Sequence, residues 1–309
     1  MPLYRVFLLA SILLLCSTEF ARSQNHIARD VTAEQVFTRN CEGPLVDGRG
    51  RLFVVNLEQD GTIGLVKTEN FTGKGKSAEK AVVERYATLP KGSIGNSLRM
   101  GKRGEIYIAD FKGHNILVLD TCRKEIREYV RSERFNQPND LCITSRGVLF
   151  ASDPNWKDST GKLWRIDPDS LGISGKTVLL DSAMGTTNGI TCSPDETTLY
   201  VNESIQRRVW AYSLDAKGNV AQKRLFASFA DFGLDGMKCD NAGNLYVTRY
   251  GKGVIAVFSP QGKLLREIPL KGKDCSNLTF GGKDGKTVYV TMQDRKCVEM
   301  FRVAIAGKQ

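Results

Sequence analysis

The chain has 309 residues, 41% of them apolar and 25% charged, with a formal net charge of +10. Its basic residues are scattered through turns such as 74–80 and 271–273 without aromatic interleaving, which excludes a nucleic-acid-binding stripe and leaves a solvated surface. Two histidines, His26 and His114, and the lack of any C-x-x-C pair exclude a zinc site. Length alone allows two domains, but a closed repeat array of this size forms a single one.

At the start of the chain, Arg5 precedes an apolar run at 6–16, and Ala21-Arg22-Ser23 offers small residues before a cut at Gln24. The pattern predicts a secretory signal peptide over 1–23, because the run is too short to cross a bilayer; an uncleaved anchor is the alternative. The mature chain, 24–309, carries +9 (42 basic minus 33 acidic residues) and no other stretch able to span a membrane. Export implies an oxidising, extracellular setting in which cysteines can pair. Seven cysteines remain after Cys16 is lost, an odd number, so at least one is free or pairs between chains. Cys142, Cys192 and Cys239 are expected as small buried hydrophobes, whereas Cys41 and Cys275 stand beside the first and last repeats, where ring closure would bring them near each other.

After a segment at 33–38 that reads as an isolated strand, a recurring unit begins. Its clearest copy is Asp235-Gly236-Met237, the turn Asp240-Asn241-Ala242-Gly243, and the strand Leu245-Tyr246-Val247. The same unit starts at Glu42, Asn96, Asn139, Asn188 and Asn277, and the six polar anchors recur at intervals of 42 to 54 residues. Each leads, ten or eleven residues on, to an apolar strand such as Leu52-Phe53-Val54 or Leu199-Tyr200-Val201. Strand-like runs punctuated by Gly, Asp, Asn and Pro fill the chain, with no long helical period. Six β-meanders of roughly 40–50 residues predict an all-β, six-bladed β-propeller over 24–309. The last repeat ends after three strands, so the N-terminal strand at 33–38 is expected to complete it and close the ring. Of three glycosylation sequons, at Asn70, Asn202 and Asn277, only Asn70 falls in an obvious surface loop.

A polar residue held at one fixed place in every repeat projects six times toward a common axis. Glu42, Asn96, Asn139, Asn188, Asp235 and Asn277 bring carboxylate and amide oxygens there, with two formal negative charges and neither sulfur nor imidazole. That donor set suits a hard cation, calcium before zinc, and a divalent ion offsets the cost of pressing two like charges together. The alternatives are that these residues satisfy backbone groups, or that they bind a purely structural ion.

Five motifs follow in order at blade spacing: Glu42-Gly43-Pro44; Pro138-Asn139-Asp140; Asn188-Gly189-Ile190 with Ser193-Pro194-Asp195; Asp235-Gly236-Met237; and Ser276-Asn277-Leu278 with Phe280-Gly281-Gly282. Over 42–303 the chain resembles the senescence marker protein (regucalcin), gluconolactonase and luciferin-regenerating enzyme family, to which diisopropyl fluorophosphatase is structurally similar. The resemblance implies one divalent ion in the central channel, commonly calcium, and hydrolysis of lactones or, in some members, organophosphates. It implies Glu42, Asn139, Asn188 and Asp235 as ion ligands, and Asp140 as a carboxylate behind them or on the substrate side. Asp235 is then a general base for water or a nucleophile, and both roles stay open. Gln137 replaces an arginine that contacts the sugar lactone in regucalcin-like members, and Met292-Gln293 stands where the fluorophosphatase has a channel histidine. Lys238 and Thr279 occupy places that in the fluorophosphatase hold a second, structural calcium, so one central ion is expected.

Asp140, Asn96, Gln137, Tyr250 and Gln293 are the candidate substrate contacts, with Arg249 and Trp156 as further candidates at the mouth. Trp164 and Trp210 are expected as inter-blade packing. The function expected from these residues is that of a secreted, calcium-dependent hydrolase of a lactone or similar small ester, without nucleic acid and without a membrane once the signal is removed. An organophosphate or other ester hydrolase using the same ion is one alternative. A non-enzymatic secreted propeller with structural calcium and a partner-binding face is the other. A polar-lined open mouth separates the enzymes from the scaffold, which would show a capped channel and a broad apolar patch. The oligomeric state is left open.

Overall fold

Two-residue alternation along the second strand of each repeat decides the architecture. In Leu52–Leu57, Leu52 and Val54 pack toward one neighbouring sheet while Phe53 and Val55 pack toward the other, as expected of a strand buried on both faces. A computed structural model describes residues 27–68 and 80–307. The expected signal peptide and Asn70 lie outside these residues.

The described residues form six four-stranded antiparallel sheets and no helix, arranged as a six-bladed β-propeller. Six apolar clusters hold it together, and each is shared between consecutive blades. One joins Phe53, Val55 and Ile63 of the first blade to Leu98, Ile106 and Ile108 of the second; another joins Leu52 and Val54 to Tyr289 and Val298 of the last. The core is therefore a ring of blade interfaces around a channel, with Trp164 buried in one of them as expected. Burying each Val, Leu, Ile or Phe contributes about 1.5–3 kcal/mol.

The innermost strands, Phe37–Val46, Gly95–Met100, Leu141–Ile143, Thr187–Cys192, Met237–Cys239 and Cys275–Gly281, adjoin one another around the channel. The N-terminal segment does close the ring, but the closing strand is Arg29–Asp30, paired with Cys297–Arg302. The expected strand at 33–38 instead ends inside the first blade, where Phe37 begins the inner strand. The reason is that 31–37 is occupied by hydrogen bonds to the last blade, Val31 N to Val298 O, Gln35 N to Arg295 O and Phe37 N to Lys296 O. A charged clasp reinforces the closure. Asp30 accepts from Lys80 at 2.9 Å, Lys271 at 2.5 Å and Arg295 at 2.8 Å, and Arg295 also binds Glu34 and the buried Glu299.

None of the seven described cysteines is in a disulfide. Ring closure sets Cys41 Sγ 3.7 Å from the carbonyl oxygen of Cys297, while Cys275 Sγ turns toward the carbonyl oxygens of Arg249 and Val254, so the two flanking thiols do not pair with each other. Cys142 and Cys192 approach to 3.4 Å between sulfurs as a thiol–thiol hydrogen bond, not a disulfide.

Three cations hold the Asp30 carboxyl well below its ordinary range despite burial that would raise it. Its contribution is present above the unfolded carboxylate range and is lost as pH falls through the depressed folded value. Asp30→Asn is expected to lower Tm by about 2–6 °C at neutral pH, and the difference from the parent protein should shrink steadily below pH 4 in a thermal melt series. A constant difference across that series would rule out the clasp as the cause.

Candidate metal centre at the channel mouth

Five anchors sit at or just before the start of an inner strand and Glu42 sits midway along Phe37–Val46, and tight packing of successive blades brings the anchors together. A Cβ on Gly189 would lie 2.1 Å from the carbonyl oxygen of Asp235, and one on Gly236 would lie 2.1 Å from Asn277 Oδ1. At these two junctions only glycine after the anchor allows the next anchor so close. Asn202, fully buried, fixes the same junction by accepting from Gly189 N at 3.1 Å and donating to Asp235 O at 2.5 Å. Its burial also removes it as a glycosylation acceptor.

The result is a cavity of about 470 Å³ whose lining includes Glu42, Asn139, Asn188 and Asp235 together with Asn96, Gln137, Tyr250 and Gln293. Eight of the residues singled out from sequence thus meet in one place. Glu42 Oε2 accepts from Gly43 N at 2.6 Å, and the Asn277 side chain donates to the same carboxylate. Asp235 takes a hydrogen bond from the Asn188 side chain and is within hydrogen-bond reach of Glu42. Burial pushes the Glu42 carboxyl up to about 8, with the Asp140 charge adding to the shift against the donors from Gly43 and Asn277. Burial, then the charges of Glu42 and Asp140, push Asp235 well above the ordinary carboxylate range.

Two amide oxygens at this centre, Asn139 Oδ1 and Asn188 Oδ1, are buried without a hydrogen-bond partner among the described residues. Orphaned acceptors beside a strained carboxylate pair are what a cation would satisfy. Among the described residues no three His, Cys, Asp or Glu side chains cluster as a metal site; the donors here are two carboxylates and two amides. An all-oxygen set of this kind fits a hard divalent cation.

Asp140 does not reach the mouth. It is buried beneath the anchors, where it accepts from Ser97 Oγ at 2.7 Å, Arg99 Nη2 at 2.6 Å, Leu141 N at 2.8 Å and Ile190 N at 3.3 Å. It braces three blades, and its role as a substrate contact is withdrawn. Arg249 is also turned away: its guanidinium lies over the Phe229 ring at 3.6 Å and pairs with Asp231 at 2.7 Å.

Sequence reasoning missed three lining residues, Asn40, Phe111 and Ser204, while Trp156, a further candidate at the mouth, does line it. A signal for most of them existed. Phe111, Trp156, Ser204, Tyr250 and Gln293 are each the first residue after the second strand of their blade, namely Ile106–Asp110, Leu149–Asn155, Thr198–Glu203, Leu245–Arg249 and Thr287–Met292. Five blades therefore deliver the same register position to the rim. Tyr250 Oη and Gln293 Oε1 bond across two of them at 3.1 Å. Among the described residues, no lysine, arginine or histidine belongs to this lining.

Residues 40–294 match the family model described as SMP-30/Gluconolactonase/LRE-like region. The chain is 32% identical over 221 residues to a gluconolactonase of Zymomonas mobilis subsp. mobilis, covering 63% of this chain and 60% of the relative. It is 28% identical over 178 residues to a pentonolactonase, XacC, of Haloferax volcanii, covering 56% and 58%. The chain thus spans about three fifths of the length of the curated relatives it matches first. Among solved structures it is similar in fold to a calcium-binding protein, regucalcin, from Agrobacterium tumefaciens, with a TM-score of 0.74 at 19% identity over 91% of this chain and 95% of the other. On the extent of the family match, which takes in all six anchors and the cavity they build, this chain belongs to the SMP-30/gluconolactonase/LRE-like family.

Proposed function

We propose that this protein is a calcium-dependent hydrolase of an uncharged lactone or similar small ester, exported under the direction of residues 1–23. The observation that carries the reading is the pairing of Glu42 and Asp235 with two orphaned amide oxygens, Asn139 Oδ1 and Asn188 Oδ1, at the floor of an open, polar mouth. The relatives named gluconolactonase and pentonolactonase support a lactone as the substrate class, and the calcium-binding regucalcin supports calcium as the ion.

Glu42, Asn139, Asn188 and Asp235 would hold the ion. A calcium ion there supplies Lewis acidity toward a carbonyl oxygen and offsets the negative charge that develops on it. The protein's own groups do the rest. Asn277 and Gly43 N aim the Glu42 carboxylate, and the Asn188 amide aims Asp235. Glu42 is tied to its neighbouring backbone, so we assign proton transfer from water to Asp235. Phe111, Trp156 and Tyr250 supply aromatic surface for the C–H side of a bound ring, while Asn96, Gln137 and Gln293 offer donors and acceptors to its hydroxyl groups. The absence of a cationic side chain among the described lining residues favours a neutral ring over one bearing a carboxylate, phosphate or sulfonate.

With purified mature protein and a panel of neutral sugar and aliphatic lactones, turnover should vanish on chelation and return with calcium. Asp235→Asn should reduce kcat by about 10²–10⁴-fold. A calcium-loaded, folded protein that hydrolyses none of the panel would remove the lactonase reading.

The raised carboxylates give a second expectation. Without the cation, the folded protein binds more protons than the unfolded chain between about 4.5 and about 8, so its stability falls as pH rises through that window. Thermal melts in chelator should show this fall between pH 5 and pH 8, and calcium should largely abolish it while releasing protons into a weakly buffered solution at pH 7. Identical pH profiles with and without calcium would show that the ion does not sit on these carboxylates. For export, N-terminal sequencing of the protein recovered from the medium should read from Gln24, and an intact N-terminus would refute cleavage there.

A further inference from the structure

Past the anchors, the inner strands run on to a second cavity of about 360 Å³. The residue three beyond each anchor lines it: Leu45, Arg99, Cys142, Thr191, Lys238 and Phe280. We propose that this lower end of the channel binds a small oxyanion, a carboxylate or a phosphate, seated against the Lys238 ammonium and the Thr191 and Thr279 hydroxyls.

The charge of the cavity is opposite to that of the mouth above it. Arg99, Lys102 and Lys238 line it against the single carboxylate of Glu196. Arg99 is already closed on Asp140 at 2.6 Å, so that carboxylate is committed and Arg99 leaves Lys238 with a like-charged neighbour. Lys238 Nζ forms no hydrogen bond or ion pair among the described residues, although the side chain stands on an innermost strand. The side chain is half-buried, and that burial, followed by the Arg99 charge, pulls the ammonium down to about 7 against the opposing charges of Asp140 and Glu42. Thr191 and Thr279 are 6% and 7% exposed, line the same cavity, and likewise make no side-chain hydrogen bond among the described residues. One unpaired cation and two unused hydroxyls facing a shared space are complementary to one oxyanion. Binding would restore the lysine to its charged form, and the cavity has room for a small anion but not for an extended chain. The same positive charge disfavours a second cation here.

The test uses calcium-loaded protein freed of excess calcium, titrated separately with inorganic phosphate and with lactate in a low-chloride buffer. At ten times its Kd the preferred anion should raise Tm by about 3 °C, and the two arms distinguish a phosphate from a carboxylate site. In Lys238→Met the shift should disappear, whereas Lys238→Arg should retain part of it. Removing an unpaired, half-buried ammonium should leave the fold intact, and Lys238→Met alone should melt no lower than the parent. Independently of any variant, reductive methylation mapped by mass spectrometry should label Lys238 in the free protein and be suppressed several-fold by the anion. Equal shifts in parent and Lys238→Met, no shift with either anion, or methylation of Lys238 indifferent to anion would each overturn the proposal. None of these readouts passes through lactone turnover, so the outcome stands apart from that of the catalytic reading.

Discussion

Two carboxylates that repel each other stand at the axis, and the rest of the propeller is built to keep them there. Glu42 and Asp235 come from different blades and face each other across the mouth with a third negative group, Asp140, beneath them. Left to themselves such groups would spread apart or hydrate. They cannot, because each inner strand is wedged between two neighbours by apolar clusters on both sides, and close-packed interiors shift little in response to local force. The repulsion is instead taken up as a raised affinity for positive charge, whether protons or a metal ion.

Asp140 shows how the protein confines that demand. Its carboxylate accepts from Ser97, Arg99 and two backbone N–H groups, so its charge is met by fixed donors and does not compete for the cation above. The channel is thereby divided. Above Asp140 lie oxygens without a counter-charge; below it lie Arg99 and Lys238. A single salt bridge at 2.6 Å separates two environments of opposite sign within one tunnel.

The repeat and its anchors were legible because a strand's constraints are local and repeat six times: an apolar alternation, a turn, and a polar residue at a fixed offset. The site emerged with them, since any residue held at one register in every blade converges on the axis. What failed was whatever depended on a single step of register or on a partner far away in sequence. Asp140 is one residue from a channel-lining anchor, and in a strand one step points a side chain elsewhere. The closing strand Arg29–Asp30 is two residues long, too short to carry a periodic pattern, so attention fell on the more apolar 33–38. Phe111 and Ser204 were missed because a Phe and a Ser share no chemistry; only their common position after the second strand unites them. Arg249 was misplaced because nothing in the sequence showed that Phe229 and Asp231 would draw it outward.

The pairing of Arg29–Asp30 with Cys297–Arg302 also fixes the order in which the molecule can be finished. Val298 N reaches Thr32 Oγ1 across 266 positions of the chain. During synthesis the strand Arg29–Asp30 emerges before its partner, with five blades between them. Until then Arg29–Asp30 has no strand to pair with, and once the last blade is made its outer edge stays open until that strand docks; edges of that kind recruit other strands. Contacts this distant in sequence also carry the entropic cost of closing a long loop. The completed ring has no seam to open, but a nascent one is exposed to mispairing for as long as the chain takes to appear. Folding of this protein is therefore most sensitive to conditions at the ring-closing step, and less to the stability of any blade already made.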